Sequence, residues 1–170
     1  EPSSGLNTRA TITHKRNLGN TKLNVNVGAE YASTDNEGIS YNGDFNTDTA
    51  SITNINEAFT KQLLGFAQAE FIFPGDFYLT AGLSYNNYDY DVKSGTNTNQ
   101  PLRYKTTVDK AVPRFSLLKK FGTYSAYVAL GQGFNPPAAG IFNDFLNFDG
   151  SVNEDLQAST GWNFEIGSRG

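Results

Sequence analysis

From Lys22 to Thr34 apolar and polar positions trade places at every step: Leu23, Val25, Val27, Ala29 and Tyr31 set against Lys22, Asn24, Asn26, Gly28 and Glu30. Side chains of a strand point alternately to opposite faces, so this period predicts a strand over 22–34 with one apolar and one polar face. The same period recurs along the chain. Over 7–17, Ala10 and Ile12 alternate with Arg9, Thr11, Thr13 and Lys15, and over 61–73, Leu63, Ala67, Ala69, Phe71 and Phe73 oppose Gln62, Gln68 and Glu70. In the latter, Leu64, Phe66 and Ile72 interrupt the polar face. Over 77–90 the apolar set is Phe77, Leu79, Ala81, Leu83 and Tyr85; strands over 104–120 and 123–132 follow, and 160–168 carries Trp162, Phe164 and Ile166 opposite Asn163, Glu165 and Gly167.

Between these seven predicted strands the connections alternate in length. Leu18–Thr21, Pro74–Asp76 and Phe121–Thr123 are tight turns, whereas 35–59, 91–103 and 133–159 are long, polar and expected to be loops. Short turns at one end and long loops at the other characterise antiparallel membrane barrels, and a soluble sandwich has no reason to sort its loops this way. Strands of ~10 residues rising ~3.3 Å each and tilted by ~45° cross the apolar band of an outer membrane. Phe73, Phe77, Phe121 and Tyr124, beside the tight turns, sit where an interfacial girdle belongs. The expected fold is all-β: a segment of an up-and-down membrane β-barrel. Seven strands do not close a bacterial barrel, so an open, curved sheet with exposed edges is expected.

Composition sharpens this picture. The chain holds 13 Phe, 9 Tyr and 17 Gly, a mix suited to strands, turns and membrane interfaces. Its low mean hydropathy is compatible with a membrane, because a barrel strand meets lipid only at every second residue. A spanning helix would need ~20 continuous apolar residues, and there is no such run. Starting at Glu1 without a charged-then-apolar leader, the chain is expected to be a piece of a longer polypeptide. The absence of Cys removes disulfides and thiolate metal sites, and a net charge of -4 argues against sequence-independent nucleic-acid binding.

Candidate chemistry is thin. His14 is the single histidine, on the apolar phase with Ala10 and Ile12, so a histidine metal cluster or a Ser-His-Asp triad has little to build on. Gly82-Leu83-Ser84-Tyr85-Asn86 approximates a nucleophile elbow but lies within a strand, without the turn and helix that motif requires. Gly131-Gln132-Gly133 lacks the third glycine, the lysine and the helix of a phosphate loop. Asn42, Asp44, Asn46 and Asp48 alternate like calcium ligands, yet the glycine and glutamate at the sixth and twelfth positions are missing. No catalytic, cofactor or metal residue is assigned.

Glu30 and Glu70 fall on the polar phase of strands expected to be neighbours. If the strand bases pair near Lys22 and Phe73, the two carboxylates stand about five residues or ~17 Å apart, too far for glycosidic work, which needs ~5–10 Å. Lumen lining is the better reading for both, and for Glu165. Lys110 and Arg114 are also assigned to the lumen, because a charge on the lipid face costs ~2–4 kcal/mol at the bilayer midplane. Gln132 and Asn135, where a strand gives way to an outer loop, and Phe142, Asn143 and Asp144 within that loop, are the ligand-contact candidates. Phe142, Phe145 and Phe148 admit two readings, an aromatic platform for ligand or simple packing of the loop. The outer loops are acidic, with Asp35, Glu37, Asp44, Asp48 and Glu57 in one and Asp144, Asp149, Glu154 and Asp155 in another, for which solvation is the simplest account.

Val112-Pro113-Arg114-Phe115 entering a strand, the Phe121-Gly122-Thr123 turn, Gly131-Gln132-Gly133-Phe134-Asn135-Pro136-Pro137 ending the next strand, then Leu156 and Asn163-Phe164-Glu165-Ile166-Gly167-Ser168-Arg169-Gly170 resemble, in order and spacing, the middle to later barrel of TonB-dependent outer-membrane receptors. The likeness is specific over 111–170 and generic before it. It departs at Leu156-Gln157-Ala158-Ser159, where the family commonly shows Leu-Lys-Pro-Glu. The resemblance implies a bacterial outer-membrane location, a barrel of about 22 strands filled by an N-terminal plug, and active uptake of a ferric siderophore, haem or cobalamin rather than enzymatic turnover. It further implies membrane lipid, a small iron chelate and, through the plug, the TonB energy-coupling complex as partners. In a complete receptor Lys110 and Arg114 would pair with the plug or a neighbouring strand. A small structural or adhesive barrel and a soluble all-β binding domain are the alternatives.

These readings separate on one measurement. The chain is expected to need detergent or lipid to stay dispersed, whereas a monodisperse monomer unfolding cooperatively in plain buffer would overturn the membrane reading.

Overall fold

The computed structural model describes residues 3–42, 51–95, 102–137 and 157–170 of the chain. Among these residues seven strands form one antiparallel sheet in chain order: β1 (Ser3–Leu18), β2 (Thr21–Asn42), β3 (Ser51–Phe73), β4 (Phe77–Gly95), β5 (Leu102–Phe121), β6 (Tyr124–Asn135) and β7 (Ser159–Arg169). Every strand pairs with its sequence neighbour, and β1 and β7 are the two edges, so the sheet is open.

The three tight turns are where left-handed backbone is required. Gly19, Gly75 and Gly122 have φ of 62°, 78° and 64°, which glycine adopts without the Cβ clash other residues suffer. Asp76 joins them at 61°, a conformation that short polar side chains tolerate. The Pro74–Asp76 turn is tied to the base of β5, where the Lys120 amide donates to the Asp76 carbonyl at 3.1 Å and the Lys119 ammonium donates to the Gly75 carbonyl.

The strands run further than their apolar alternation. Residues 35–42 and 51–59 continue β2 and β3, and 91–95 and 102–103 continue β4 and β5, although all were expected to be loop. The physical reason is that these extensions rise past the bilayer. Asp91 lies 14 residues beyond Phe77 along β4, about 46 Å of strand and about 33 Å of height at a ~45° tilt, beyond an apolar band ~25 Å tall. With no lipid to set the phase the apolar alternation of the lipid face is lost, and in β4 it reverses to Tyr88, Tyr90 and Val92 against Asp89, Asp91 and Lys93, yet the hydrogen-bond ladder goes on. It slips once, between Ser40 and Tyr41 of β2.

Register sorts the side chains into two faces. One carries continuous apolar rungs: Ile12, Val27, Ala67, Leu83 and Pro113 in one row, and Ala69, Ala81, Phe115, Leu130 and Phe164 in another. Leu83, Phe164 and Ile166 remain 53%, 69% and 73% exposed, so this face has no protein partner among the described residues. The buried apolar residues are Ala58, Tyr90 and Val92, all on the opposite face. A soluble sandwich would bury its apolar face; this sheet turns it outward.

Pro113 marks a change of course. β4 pairs with β5 along the length of β5, from Lys119 to Leu102, but β6 pairs with β5 only from Phe121 to Arg114. Proline has no N–H to donate, so the ladder to β6 stops there. Beyond Gly131, β6 pairs only with β7 and leaves β5.

Glycine on the polar face makes room for a large neighbour. A Cβ on Gly28 would lie 2.5 Å from Cζ of Phe66 and 2.7 Å from the Ala10 carbonyl oxygen. Gly28→Val is therefore expected to lower the unfolding free energy by about 1–3 kcal/mol through overpacking. Gly65→Ala, with nothing within 4 Å of the new methyl, is expected to be near neutral. Urea unfolding in detergent micelles measures both, and equal effects would contradict the packing account.

Candidate functional site

The polar face is built in rows across the strands. Asn24, Glu70, Thr80, Ser116, Ala129 and Glu165 form one; Asn26, Gln68, Gly82, Arg114, Gly131 and Asn163 form the next; Glu30, Leu64, Asn86 and Lys110 lie higher. Glu30, Glu70, Lys110, Arg114 and Glu165 thus share one face, opposite the apolar rungs. Glu70 stands opposite Asn24, six residues from Glu30 along β2, so the pairing is one residue away from the expected register. The separation is then ~20 Å at ~3.3 Å per residue, and paired acid/base carboxylates are excluded.

Each glutamate has a neutral or cationic donor. The Asn7 amide donates to Glu30 at 3.1 Å, with Arg9 at 3.8 Å; the Asn24 amide donates to Glu70 at 2.8 Å; the Tyr127 hydroxyl donates to Glu165. Arg9 also lies over the Phe66 ring, 5.1 Å from its centroid. Tyr127 lies across Gly167, where a Cβ would come within 2.5 Å of the ring. Large side chains of this wall therefore lie along it, over glycines of the adjacent strand.

At the outer end the same face holds the one buried cluster among the described residues. Ala58, Tyr90 and Val92 form it, with Tyr88, Tyr104 and Val108 packed around them. Tyr88 and Tyr90 stack with ring centroids 6.2 Å apart, and Phe134 of the departing β6 reaches over to Tyr88 at 5.8 Å. The Tyr90 hydroxyl donates to the Pro137 carbonyl at 2.8 Å. Burial, and secondarily the neighbouring Tyr88, push the Tyr90 phenol up to about 12, so it stays a donor at any physiological pH. Because β6 bridges to β4 across this face, skipping β5, the polar face is the concave one here.

Sequence reasoning did not single out Tyr88, Tyr90, Val92, Tyr104 or Phe134. A signal existed: Tyr88 and Tyr90 fall on the even-numbered polar phase of β4, the wrong phase for lipid. Of the ligand-contact candidates, Gln132 stands opposite Trp162 and Asn135 opposite Ser159, at the end of β6. Phe142, Asn143 and Asp144 lie outside the described residues, as do Asp44, Asn46 and Asp48. His14 stands opposite Val25 with the apolar rungs. Among the described residues there is no group of three or more metal-ligating side chains.

On the apolar-rung face, above the bilayer, charges replace the apolar side chains. Asp91 accepts from Arg103 through two nitrogens, at 2.8 and 2.5 Å, and Lys105 lies 3.1 Å away, while Lys93 bonds Glu57 at 2.6 Å. The Arg103 hydrogen bonds, against some desolvation and with help from Lys105, hold the Asp91 carboxyl well below the usual carboxylate range.

An open antiparallel sheet with lipid-facing apolar rungs, a polar concave face and tight turns at one end is a segment of membrane β-barrel wall. The chain belongs to the TonB dependent receptor-like, beta-barrel family, whose pattern it matches over residues 2–170. Members of this family are transport receptors of the bacterial outer membrane, not enzymes. Among solved structures the chain is similar to the ferric-catecholate import receptor Fiu of E. coli K12 in its closed form, at TM-score 0.75 and 17% identity over 98% of this chain and 28% of that one. It is similar to the siderophore receptor PiuA of Acinetobacter baumannii, at TM-score 0.74 and 16% identity over 98% and 29%. The unliganded ferric citrate transporter FecA gives TM-score 0.79 and 11% identity over 98% and 25%. The chain thus spans less than a third of each of these proteins. No curated protein matches it in sequence.

The Asp91 cluster gives a pH prediction. A carboxyl whose pKa is depressed on folding stabilises the fold fully above its unfolded value, 3.8, and loses that contribution only as pH falls through the lower folded value. Asp91→Asn should therefore lower the unfolding midpoint at pH 7 and pH 5 alike. The gap from wild type should close only below 3.8, measured by urea unfolding at constant ionic strength. A gap that changes between pH 7 and 5 would contradict this assignment.

Proposed function

We propose that this chain is part of the wall of an outer-membrane receptor that actively imports a ferric siderophore-type chelate, its polar face lining the lumen. The observation that carries the reading is the aromatic cluster of Tyr88, Tyr90, Tyr104 and Phe134 at the outer end of that face. The half-buried rings of Tyr88, Tyr104 and Phe134, seated on the buried Tyr90, give flat aromatic surface at the mouth of a polar-walled lumen, which suits capture of a chelate with aromatic groups from outside. Gln132 and Asn135, on the strand that leads to this cluster, are proposed to add amide contacts. So are Phe142, Asn143 and Asp144 of the following loop.

The likeness to a ferric-catecholate import receptor, a siderophore receptor and a ferric citrate transporter supports the cargo class. Transport requires energy from the inner membrane, which in this reading arrives through a plug in contact with the TonB complex. Membrane lipid is the partner of the apolar rungs.

Deletion of the complete receptor gene is expected to abolish radioiron uptake from at least one ferric chelate in iron-limited cells. A Tyr88→Ala, Phe134→Ala double variant, at normal surface level, should weaken binding of that chelate by about tenfold or more, as loss of two aromatic contacts does elsewhere. Unchanged uptake of every ferric chelate, haem and cobalamin after deletion would sink the proposal and favour a structural or adhesive barrel.

A further inference from the structure

The tight-turn end of the sheet carries charge of one sign. Within four residues of Gly19, Gly75 and Gly122 stand Lys15, Arg16, Lys22, Lys119 and Lys120 against the single carboxylate of Asp76, in a chain whose net charge is -4. Arg16, opposite Leu23, and Lys119, opposite Phe77, fall on the lipid-facing phase. The carboxylates on that phase of β2 to β5, from Asp35 and Glu57 to Asp91 and Asp109, all lie toward the outer end.

Lys119 is flanked by strands on both sides, with Phe77 of β4 and Ala126 of β6 as its partners. Its ammonium lies 4.2 Å from the ring centroid of Phe77 and 5.4 Å from that of Phe121, and it donates to the Gly75 carbonyl. An ammonium has three N–H donors, so two remain for a ligand. Phe73 stands opposite Phe77 and Tyr124 opposite Phe121, so exposed aromatic rings border the ammonium on this face. Asp76, in the same turn, forms no ion pair with Lys119 or Lys120. Lys120 points to the other face, its ammonium 4.7 Å from the ring centroid of Tyr78.

We propose that Lys119, seated between Phe77 and Phe121, holds the phosphodiester of an anionic phospholipid in the periplasmic leaflet. Short turns of a membrane barrel face the periplasm, and aromatic rings beside them mark the level of the lipid headgroups. At that level the acceptor outside the wall is a lipid phosphate. A zwitterionic lipid brings its own ammonium, which Lys119 repels, whereas a headgroup of glycerol type presents the negative charge alone. The rings pack against the glycerol backbone and the first acyl carbons, where one side of the surface is apolar and the other wet. The inference rests on the apolar rungs facing lipid and not on what is imported.

The test places the complete receptor in nanodiscs of phosphatidylcholine, with or without phosphatidylglycerol, and follows reductive methylation of Lys119 and Lys120 by peptide mass spectrometry. Phosphatidylglycerol is expected to slow Lys119 about fivefold more than Lys120, the worth of one lysine at an anionic membrane surface. Lys120, at the same height on the other face, reports the general surface potential of the disc. Equal slowing of the two lysines, or none, overturns the site. Glycerol phosphate added to discs of phosphatidylcholine alone should leave Lys119 unaffected; slowing to the same extent by this soluble anion overturns a lipid as the ligand. The thermal unfolding midpoint is a second readout. Phosphatidylglycerol should raise it in wild type and in Lys119→Arg, and raise it less in Lys119→Gln; an equal rise in Lys119→Gln overturns the proposal. Radioiron uptake is read separately, so failure of the transport reading and failure of this site give different results.

Discussion

In the hydrocarbon of a membrane a peptide group has no water to turn to, so each N–H and C=O must be matched within the protein. The rest of this sheet depends on that constraint. It explains why the pairings run residue by residue through the bilayer, with the one slip among the described residues, at Ser40 and Tyr41, falling where water is again available. It also explains the placement of Pro113. A missing donor mid-sheet is tolerated because that residue lies at the upper end of the β5–β6 ladder, where β6 is already turning away. The outer edges of β1 and β7 carry the same obligation, and only further strands of a barrel can meet it in lipid.

Once the backbone is matched, side chains decide which face meets which solvent. Apolar residues such as Leu83, Phe115 and Ile166 are exposed because lipid takes the place of a protein core, so exposure that would be a liability in water is here the stabilised state. The polar face has the opposite problem, since bulky groups projecting from every row would obstruct the lumen. Pairing Phe66 with Gly28, Tyr127 with Gly167 and Arg114 with Gly82 and Gly131 lays large side chains against the wall. The cost of glycine in a strand is offset by the close approach it permits.

What was legible in the sequence follows from the same physics. Within the bilayer the environment alternates between lipid and lumen with the strand's own period, so Leu23 to Tyr31 and Phe77 to Tyr85 could be read directly, as could the glycine turns. Above the bilayer lipid no longer sets the phase: residues 35–42 show no alternation, and in β4 the alternation reverses, with Tyr88, Tyr90 and Val92 set against Asp89, Asp91 and Lys93, so the lipid-facing pattern does not carry on into 91–95. The polar-face assignment of Glu30, Glu70, Lys110, Arg114 and Glu165 followed from phase alone, which needs no knowledge of partners. Which residue faces which needs the register, and a one-residue difference between β2 and β3 was beyond what turn positions could fix. The Tyr88–Tyr90–Phe134 cluster was hidden for a further reason: it joins β4 to β6 across β5, a contact created by curvature rather than by pairing.

That curvature links the wall to its mouth. Because β6 is freed from β5 at Pro113, its last residues can lean over the concave face, bringing Phe134 onto Tyr88 and the Pro137 carbonyl onto Tyr90. The Tyr90 hydroxyl, kept protonated by burial, ties Pro137, just past the end of β6, to the buried cluster of the outer sheet. Pro137, rooted in this way, gives the chain after β6 a fixed point of departure from a rigid scaffold. The same proline that ends a hydrogen-bond ladder, Pro113, therefore sets where β6 turns over the concave face and where the proposed contacts of Gln132 and Asn135 begin.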